Sequence, residues 1–419
     1  LLDQLPGKAF FILIKEKFNK MVPYFATDRS REIAEKLQKY LKDEIMPLEK
    51  EWFSLPFKEV EAIIRKKKPA IEEIGAWNLY LDRSLGGPEL TLMEIAQIGE
   101  VMGTSPFGHF LCNSQAPDAG NIELLKAYGS EEIIEKYLYP LTRGEIRSCF
   151  GMTEPALAGS NPVRMDTIAI EDGEYFIING RKWFTTGADG AAFCIVMAIT
   201  DPENDNPYQR ASMIIVPTEC NGFNIERNIS VMGHPGEGNM SHAEITLTDV
   251  RVPKKYLLGA NGDGFKLAQE RLGPGRIHHC MRWIGISARC FDMMCKRAAT
   301  RELSVGVTLG QKQMVQSMIA ESKAEIDAAR LMVLNAAYIM ENHGQRAARK
   351  EISAIKFFTS DILCKVIDRA IQVHGALGVT DDTILSWYYR EERGSRIYDG
   401  TDETHKASLA RQILKRYLT

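Results

Sequence analysis

The chain has 419 residues, 45% of them hydrophobic and 26% charged, with a formal net charge of −3. That length calls for two or three packed units rather than one core, and the balance excludes a disordered chain. The near-neutral charge argues against nucleic acid or an anionic membrane as main partner, and no apolar run reaches spanning length, so membrane association is peripheral at most.

The eight cysteines are scattered, with no Cys-x-x-Cys pair and no metal-ligand spacing, which fits reduced thiols in an intracellular protein. The first residue is Leu1 rather than Met, so a missing N-terminal part and any targeting signal stay open. The C-terminal Tyr-Leu-Thr is not the peroxisomal tripeptide.

Residues 1–28 form an extension with an apolar-basic run at 10–18, read as a packed N-terminal helix in preference to an amphipathic surface helix. From Asp28 to about Leu141 the signals are helical: charged and apolar residues alternate over 31–42, and 92–101 carries an apolar stripe. Ser130-Glu-Glu-Ile reads as a helix start, a hydroxyl cap followed by carboxylates in the first turn. Turn chemistry at 113–121 is compatible with a helix–helix connection.

Near Ser148 the period changes. The segments 175–178, 193–199, 211–216 and 243–250 are short, β-rich and bounded by Gly, Pro, Asn and Asp. They predict a small antiparallel unit. The Gly-rich loop 232–239 lacks the strand-to-helix setting of a phosphate cradle and carries little weight. After Pro253 the chain is helical again. Val315, Ile319, Ile326, Ala329 and Val333 recur at helical spacing, as do Ile352, Ile355, Ile362, Val366 and Ala370, with a break at His343-Gly344. Such stripes bury themselves by packing as a bundle.

The fold class is therefore α+β: an N-terminal all-α domain (1–147), a middle antiparallel β-domain (148–255) and a C-terminal four-helix bundle (256–419).

Within the β-domain, 149–160 reads Cys-Phe-Gly-Met-Thr-Glu-Pro-Ala-Leu-Ala-Gly-Ser, and 179–187 reads Asn-Gly-Arg-Lys-Trp-Phe-Thr-Thr-Gly. Phe150, Met152, Trp183 and Phe184 offer apolar and ring surface; Thr153, Ser160, Thr185 and Thr186 offer hydroxyls; Gly159 and its small neighbours allow close approach. A platform for a flat ring system and a plain strand–turn–hairpin are equally compatible with these residues.

The order Met-Thr-Glu-Pro, Gly-Ser, Asn-Gly-Arg-Lys and aromatic-x-Thr resembles the flavin-binding core of the acyl-CoA dehydrogenase family, and the match runs from about residue 75 to the C-terminus. The segment 273–282, Gly-Pro-Gly-Arg-Ile-His-His-Cys-Met-Arg, is similar to the branch that in animals includes family members 10 and 11. The resemblance implies an FAD-dependent acyl-CoA dehydrogenase of fatty-acid β-oxidation.

Such a reaction needs a carboxylate for the α-proton, a flavin for the β-hydride and hydrogen bonds to the thioester carbonyl. The resemblance places the base at Asp399, where medium- and short-chain members carry glutamate; the aspartate is one methylene shorter. The position at which other relatives carry their base is Gly275 here, which cannot ionise. Glu270 is the alternative base. Flavin contacts are implied for Phe150, Met152, Thr153, Gly159, Ser160, Phe184, Thr186, Arg301, Gln313, Gln372, Gly375, Ala376, Thr401 and Glu403. Substrate contacts are implied for Ser160, Gly275, Arg276 and Gly400. Phe184 replaces a common tryptophan, Ala376 a glycine, and the loop after Arg301 departs from the family pattern.

The arginine matching Arg301 reaches a neighbouring subunit's flavin in relatives, so a homo-oligomer is expected, a dimer or a dimer of dimers. Electron-transfer flavoprotein is the implied acceptor and the mitochondrion the implied location, with peroxisome or cytoplasm as alternatives. A flavin oxidase of the same fold and a non-catalytic acyl-CoA-binding protein are the competing readings. No metal site is expected: adjacent helical residues such as His278 and His279 point about 100° apart and cannot chelate one ion, so packing or a CoA contact is their expected role.

Overall fold

A computed structural model describes residues 25–418; the apolar-basic run at 10–18 lies outside them. Helices α1 (Asp28–Tyr40), α2 (Phe57–Ile74), α3 (Leu92–Gly103) and α4 (Asp118–Tyr128) make up most of the first unit. Thr27 and Thr91 open α1 and α3 with capping boxes, and the Ser130 hydroxyl caps the next turn by accepting from Ile133 N. Each cap satisfies a backbone N–H that the first turn leaves free. Of the turn segment 113–121, residues 113–117 connect two helices and 118–121 open α4; Asn113, Gln115, Asp118 and Asn121 are buried, a polar network rather than a solvent loop.

The middle unit is a sheet of β1 (Ser148–Gly151), β2 (Ile168–Asp172), β3 (Tyr175–Thr186), β4 (Phe193–Ile199), β5 (Ala211–Pro217), β6 (Phe223–Asn228), β7 (His242–Pro253) and β8 (Leu257–Leu258). Hydrogen-bonded neighbours run β6-β7-β3-β2-β4-β5-β8, with β1 beside β4. The pairing is mostly antiparallel, but β1 and β2 both join β4 in parallel, a departure from the purely antiparallel expectation. The reason is connectivity. β1 and β4 are separated by the 152–192 excursion, long enough for a crossover that a tight hairpin could not make. Strand β1 matches the strand–turn reading of the stretch from Cys149, whereas β2, β6 and β8, short or polar on one face, carry no such signal. β4 is buried almost throughout, which explains its unbroken apolar sequence.

The third unit holds three long helices, α5 (Gly264–Thr300), α6 (Gln313–His343) and α7 (Arg349–His374), with the shorter α8 (Leu385–Glu392) and α9 (Asp402–Leu414) packed on α7. α6 ends at His343 with Gly344 at φ 80°, and the predicted α7 stripe is buried as expected. α5 also crosses α3 of the first unit. A Cβ on Gly285 would stand 2.1 Å from the Glu100 carbonyl oxygen, and one on Gly103 2.4 Å from that of Arg282, so only glycines permit this approach. Arg330 clamps Glu100 through two 2.8 Å bonds, and Arg289 bonds Glu49 at 2.6 and 2.9 Å. These pairs tie α5 and α6 to the first unit, and so set the position of the α5 residues described next. No helix among the described residues is long and apolar enough to cross a membrane.

Candidate active site

Two constellations stand out, one on the sheet and one where α5 meets the turn before α9. On the sheet, Phe150 is in β1 and Met152 and Thr153 follow it directly. Thr153 Oγ1 donates to the Trp183 carbonyl at 2.8 Å, and Trp183 N donates to the Thr153 carbonyl at 3.0 Å. The Thr153 hydroxyl proton is therefore already used, leaving its oxygen as an acceptor.

The β3–β7 register shifts between Lys182 and Thr185. Such an irregularity re-aims side chains that a regular strand would alternate. Phe184 sits there at φ 49°, 44% exposed as a residue, with its ring edge-on to Trp183 at 5.0 Å. Thr186 Oγ1 lies 2.8 Å from His242 Nδ1, and burial holds the His242 imidazole below its ordinary value. An exposed aromatic on left-handed backbone, flanked by hydroxyls and by the buried, unpartnered Thr185 Oγ1, is a surface on which a flat heteroaromatic group fits. Gly159 and Ser160 are exposed in the turn beyond Thr153.

Beneath this surface Lys182, wholly buried, donates to Glu154 Oε1 at 2.8 Å and to the Met152 carbonyl at 3.1 Å. Glu154 also accepts from Asp166 N, Thr167 N and Thr167 Oγ1 at 2.7, 2.9 and 2.6 Å. Burial pulls the Lys182 ammonium down to about 8 against the attraction of Glu154. Burial pushes Glu154 up, yet Lys182 and the hydrogen bonds win and leave it lowered.

In the second constellation Asp399 adopts φ 54° and Gly400 φ 97°. Aspartate tolerates the left-handed region better than most residues. At Gly400 the conformation and a would-be Cβ contact of 2.7 Å with His405 Nε2 together demand glycine. The Asp399 carbonyl faces Arg276 Nε and His405 Nε2, each at 3.1 Å, while Lys356 Nζ donates to the carbonyls of Ser395 and Gly400 at 2.6 and 3.2 Å.

The Asp399 carboxylate keeps 21% of its side-chain surface exposed, and its Oδ2 lies 3.3 Å from His279 Nε2. Burial raises its proton affinity, but His279, Arg276, Arg271 and Lys356 outweigh that and hold it below the usual value. It is an ionised acceptor at neutral pH. A Cβ on the nearby helical Gly275 would meet nothing within 4 Å, so there is open space beside it.

Arg271 spans the two constellations. Its guanidinium lies 4.3 Å from the Phe150 ring centre, and the same charge helps to depress Asp399. Glu270, by contrast, is exposed and accepts from Tyr128 Oη. Arg276, expected at the CoA moiety, has its Nε on the Asp399 carbonyl.

The remaining predicted residues lie elsewhere on the chain. Arg301 caps α5, Gln313 opens α6, and Gln372, Gly375 and Ala376 lie at the end of α7; all five are exposed and share no hydrogen bond with the sheet platform. Thr401 caps α9, accepting from Thr404 N at 3.3 Å, and Glu403 is exposed in its first turn.

Sequence reasoning missed Arg271, Lys356 and His405, and expected His279 to pack or to contact CoA. For Lys356 a signal existed: it falls at i+4 from Ile352 on the buried α7 stripe, where a lysine needs partners. For the histidine pair the outcome is packing of two kinds, His278 against the Tyr80 ring at 4.1 Å and His279 toward Asp399.

Three family models match: the acyl-CoA dehydrogenase N-terminal domain over residues 27–145, the middle domain over 149–250 and the C-terminal domain over 262–414. The chain is 43% identical over 357 residues to a probable acyl-CoA dehydrogenase, FadE2, of Mycobacterium tuberculosis, covering 84% of this chain and 86% of that protein. It is 36% identical to human acyl-CoA dehydrogenase family member 11 over 96% of this chain, but spans only 54% of that longer protein. Other animal relatives of this branch are likewise spanned to about half their length or less. A solved structure assigned to the acyl-CoA dehydrogenases, from Mycobacterium abscessus, superposes with a TM-score of 0.88 at 34% identity, covering 94% of this chain and 99% of that one. The chain belongs to the acyl-CoA dehydrogenase family, a family of flavin-dependent oxidoreductases.

Proposed function

We propose that the protein is an FAD-dependent acyl-CoA dehydrogenase that introduces an α,β double bond into a fatty acyl-CoA, with Asp399 as the base. The observation that carries this reading is the Asp399 carboxylate itself: ionised, partly open to solvent, on left-handed backbone pinned by three cationic or imidazole side chains.

Phe150, Met152, Thr153, Phe184 and Thr186 would hold the isoalloxazine, with Gly159 and Ser160 beside it and Thr401 and Glu403 toward the dinucleotide. Arg301, Gln313, Gln372, Gly375 and Ala376 would serve the dinucleotide of a second copy in a dimer or dimer of dimers, their exposure in one chain being the support for this. When bound, the flavin supplies the acceptor for the β-hydride.

The chain's own residues do the rest. Asp399 takes the α-proton at its carboxylate oxygens. Gly275 and Gly400 leave room for a flat thioester, with Ser160 and Arg276 toward the CoA. Arg271 and Lys356 lower the cost of negative charge developing near Asp399. Electrons would pass to electron-transfer flavoprotein, within mitochondrial-type β-oxidation.

Anaerobic titration of the flavoprotein with CoA esters of increasing acyl length tests this. Bleaching of the oxidised flavin band, with reoxidation by electron-transfer flavoprotein, is the expected result. A flavin that no ester bleaches removes the dehydrogenase reading, and rapid peroxide formation in air replaces it with an oxidase.

A further inference from the structure

We propose that His279 is the positioning residue for the Asp399 carboxylate, holding it in the orientation from which it takes the α-proton; this rests on the dehydrogenase reading above. The contacts around Asp399 divide into two kinds. Arg276, His405 and Lys356 bind main-chain carbonyls of residues 399 and 400, and so fix the backbone. They leave the side-chain torsions free. Among the described residues, the one side chain recorded against a carboxylate oxygen is His279, whose Nε2 lies 3.3 Å from Oδ2.

The imidazole is itself immobilised. It stacks on Trp283 at 5.9 Å with planes 24° apart, and tilts against Tyr398 at 5.4 Å. Tyr398 Oη accepts from Arg282 Nη2 at 3.0 Å and from Trp283 Nε1 at 3.1 Å, and Arg282 forms a fork on Glu392. A rigid aromatic bracket, braced by a buried ion pair, therefore ends on one ring nitrogen facing the carboxylate.

The chemistry of that nitrogen suits the task. Burial lowers His279 to about 4 despite the attraction of Asp399, so the ring is neutral at physiological pH. A neutral imidazole, with one ring nitrogen able to carry a proton, can orient an anion by contact without cancelling its charge, as a further arginine would do. The charged and titratable groups that face this pair are Arg271, Arg276, His278, Cys280 and Arg282 on α5, Lys356 on α7, Tyr398 next in the chain to Asp399, His405 on α9 and His109 from the first unit. An aspartate, a methylene shorter than a glutamate, has less reach with which to correct a wrong orientation, and geometry of this kind is sensitive to displacements of about 1 Å.

The test compares wild type, His279→Phe, which keeps a ring and removes the donor, and His279→Gln, which restores an N–H donor. Each holoenzyme is mixed anaerobically with a saturating CoA ester. Each is also titrated over pH with a CoA ester whose β-carbon is replaced by sulfur, which can lose its α-proton but no β-hydride; the long-wavelength absorbance reports proton loss alone.

For His279→Phe the expected bleaching rate falls about 10–100-fold with ester affinity unchanged, and the acid midpoint of the long-wavelength band moves up by about one pH unit. His279→Gln recovers most of both. If Phe at 279 prevents folding, His279→Leu makes the same comparison. Wild-type rate and midpoint in the Phe or Leu variant overturn the proposal, as does a Gln variant that is no better than either. A wild type that neither bleaches nor forms the band instead overturns the dehydrogenase reading, and this inference with it.

Discussion

Two carboxylates beside cationic groups, Glu154 under the sheet and Asp399 at the helical junction, are opposites in how fully they are satisfied. Glu154 accepts four hydrogen bonds, two of them from main-chain N–H groups, and its lysine partner is spent on it and on the Met152 carbonyl. Around Asp399 the cations hold backbone carbonyls instead, leaving the carboxylate oxygens with one side-chain contact and a partly open face. Both are held ionised, yet only one has valence to spare for a substrate proton. Burial and charge alone do not mark a reactive group; unspent hydrogen-bonding capacity on a strained backbone does.

Breaking this contrast on the Asp399 side has the largest expected effect. Asp399→Asn removes the proposed base and should slow anaerobic flavin bleaching by about 10⁴-fold, with CoA-ester binding retained; a rate within tenfold of wild type, read by stopped flow, would assign the base elsewhere. On the other side, Lys182→Met leaves Glu154 buried without its cation. The expected loss is about 3–5 kcal/mol of stability, measured as a lowered denaturant midpoint, with any flavin reduction in the surviving folded fraction still dependent on Asp399.

Lengthening the base sharpens the comparison. Asp399→Glu pushes a carboxylate toward His279 and should cost about 10²-fold in the bleaching rate while the denaturant midpoint changes little.

The smallest effect is the pH dependence of the sheet pair. Glu154 is lowered in the folded chain from an ordinary 4.5, so its stabilisation is present above that value and lost as pH falls through the folded one. The stability gap between wild type and Glu154→Gln should therefore be full at neutral pH and narrow below about pH 4.5. A gap that is constant over that window would mean Glu154 is not ionised in the folded protein.

Much of this was legible in the chain. The helical stripes on α6 and α7, the Ser130 cap and the His343-Gly344 break follow from spacing, because local periodicity and capping need only near neighbours. The motif order around Met152-Thr153 and Asn179-Gly180 carried the family, and the resemblance singled out Asp399 for the proposed role of base. The parallel joins of β1 and β2 to β4 were not visible, since strand pairing is a long-range choice that short, partly polar segments leave open.

The sequence by itself determined the helix–sheet–helix order, the apolar faces and the identity of the groups able to take a proton or stack a ring, because these depend on residue type and near spacing. Only the tertiary structure decided which of those groups meet. Arg271, Arg276 and His279 from α5, Lys356 from α7 and His405 from α9 converge on Asp399, although up to 128 positions separate them from it. That convergence is set by helix crossings such as Gly103 on Gly285, where backbone approach rather than any local preference fixes the geometry.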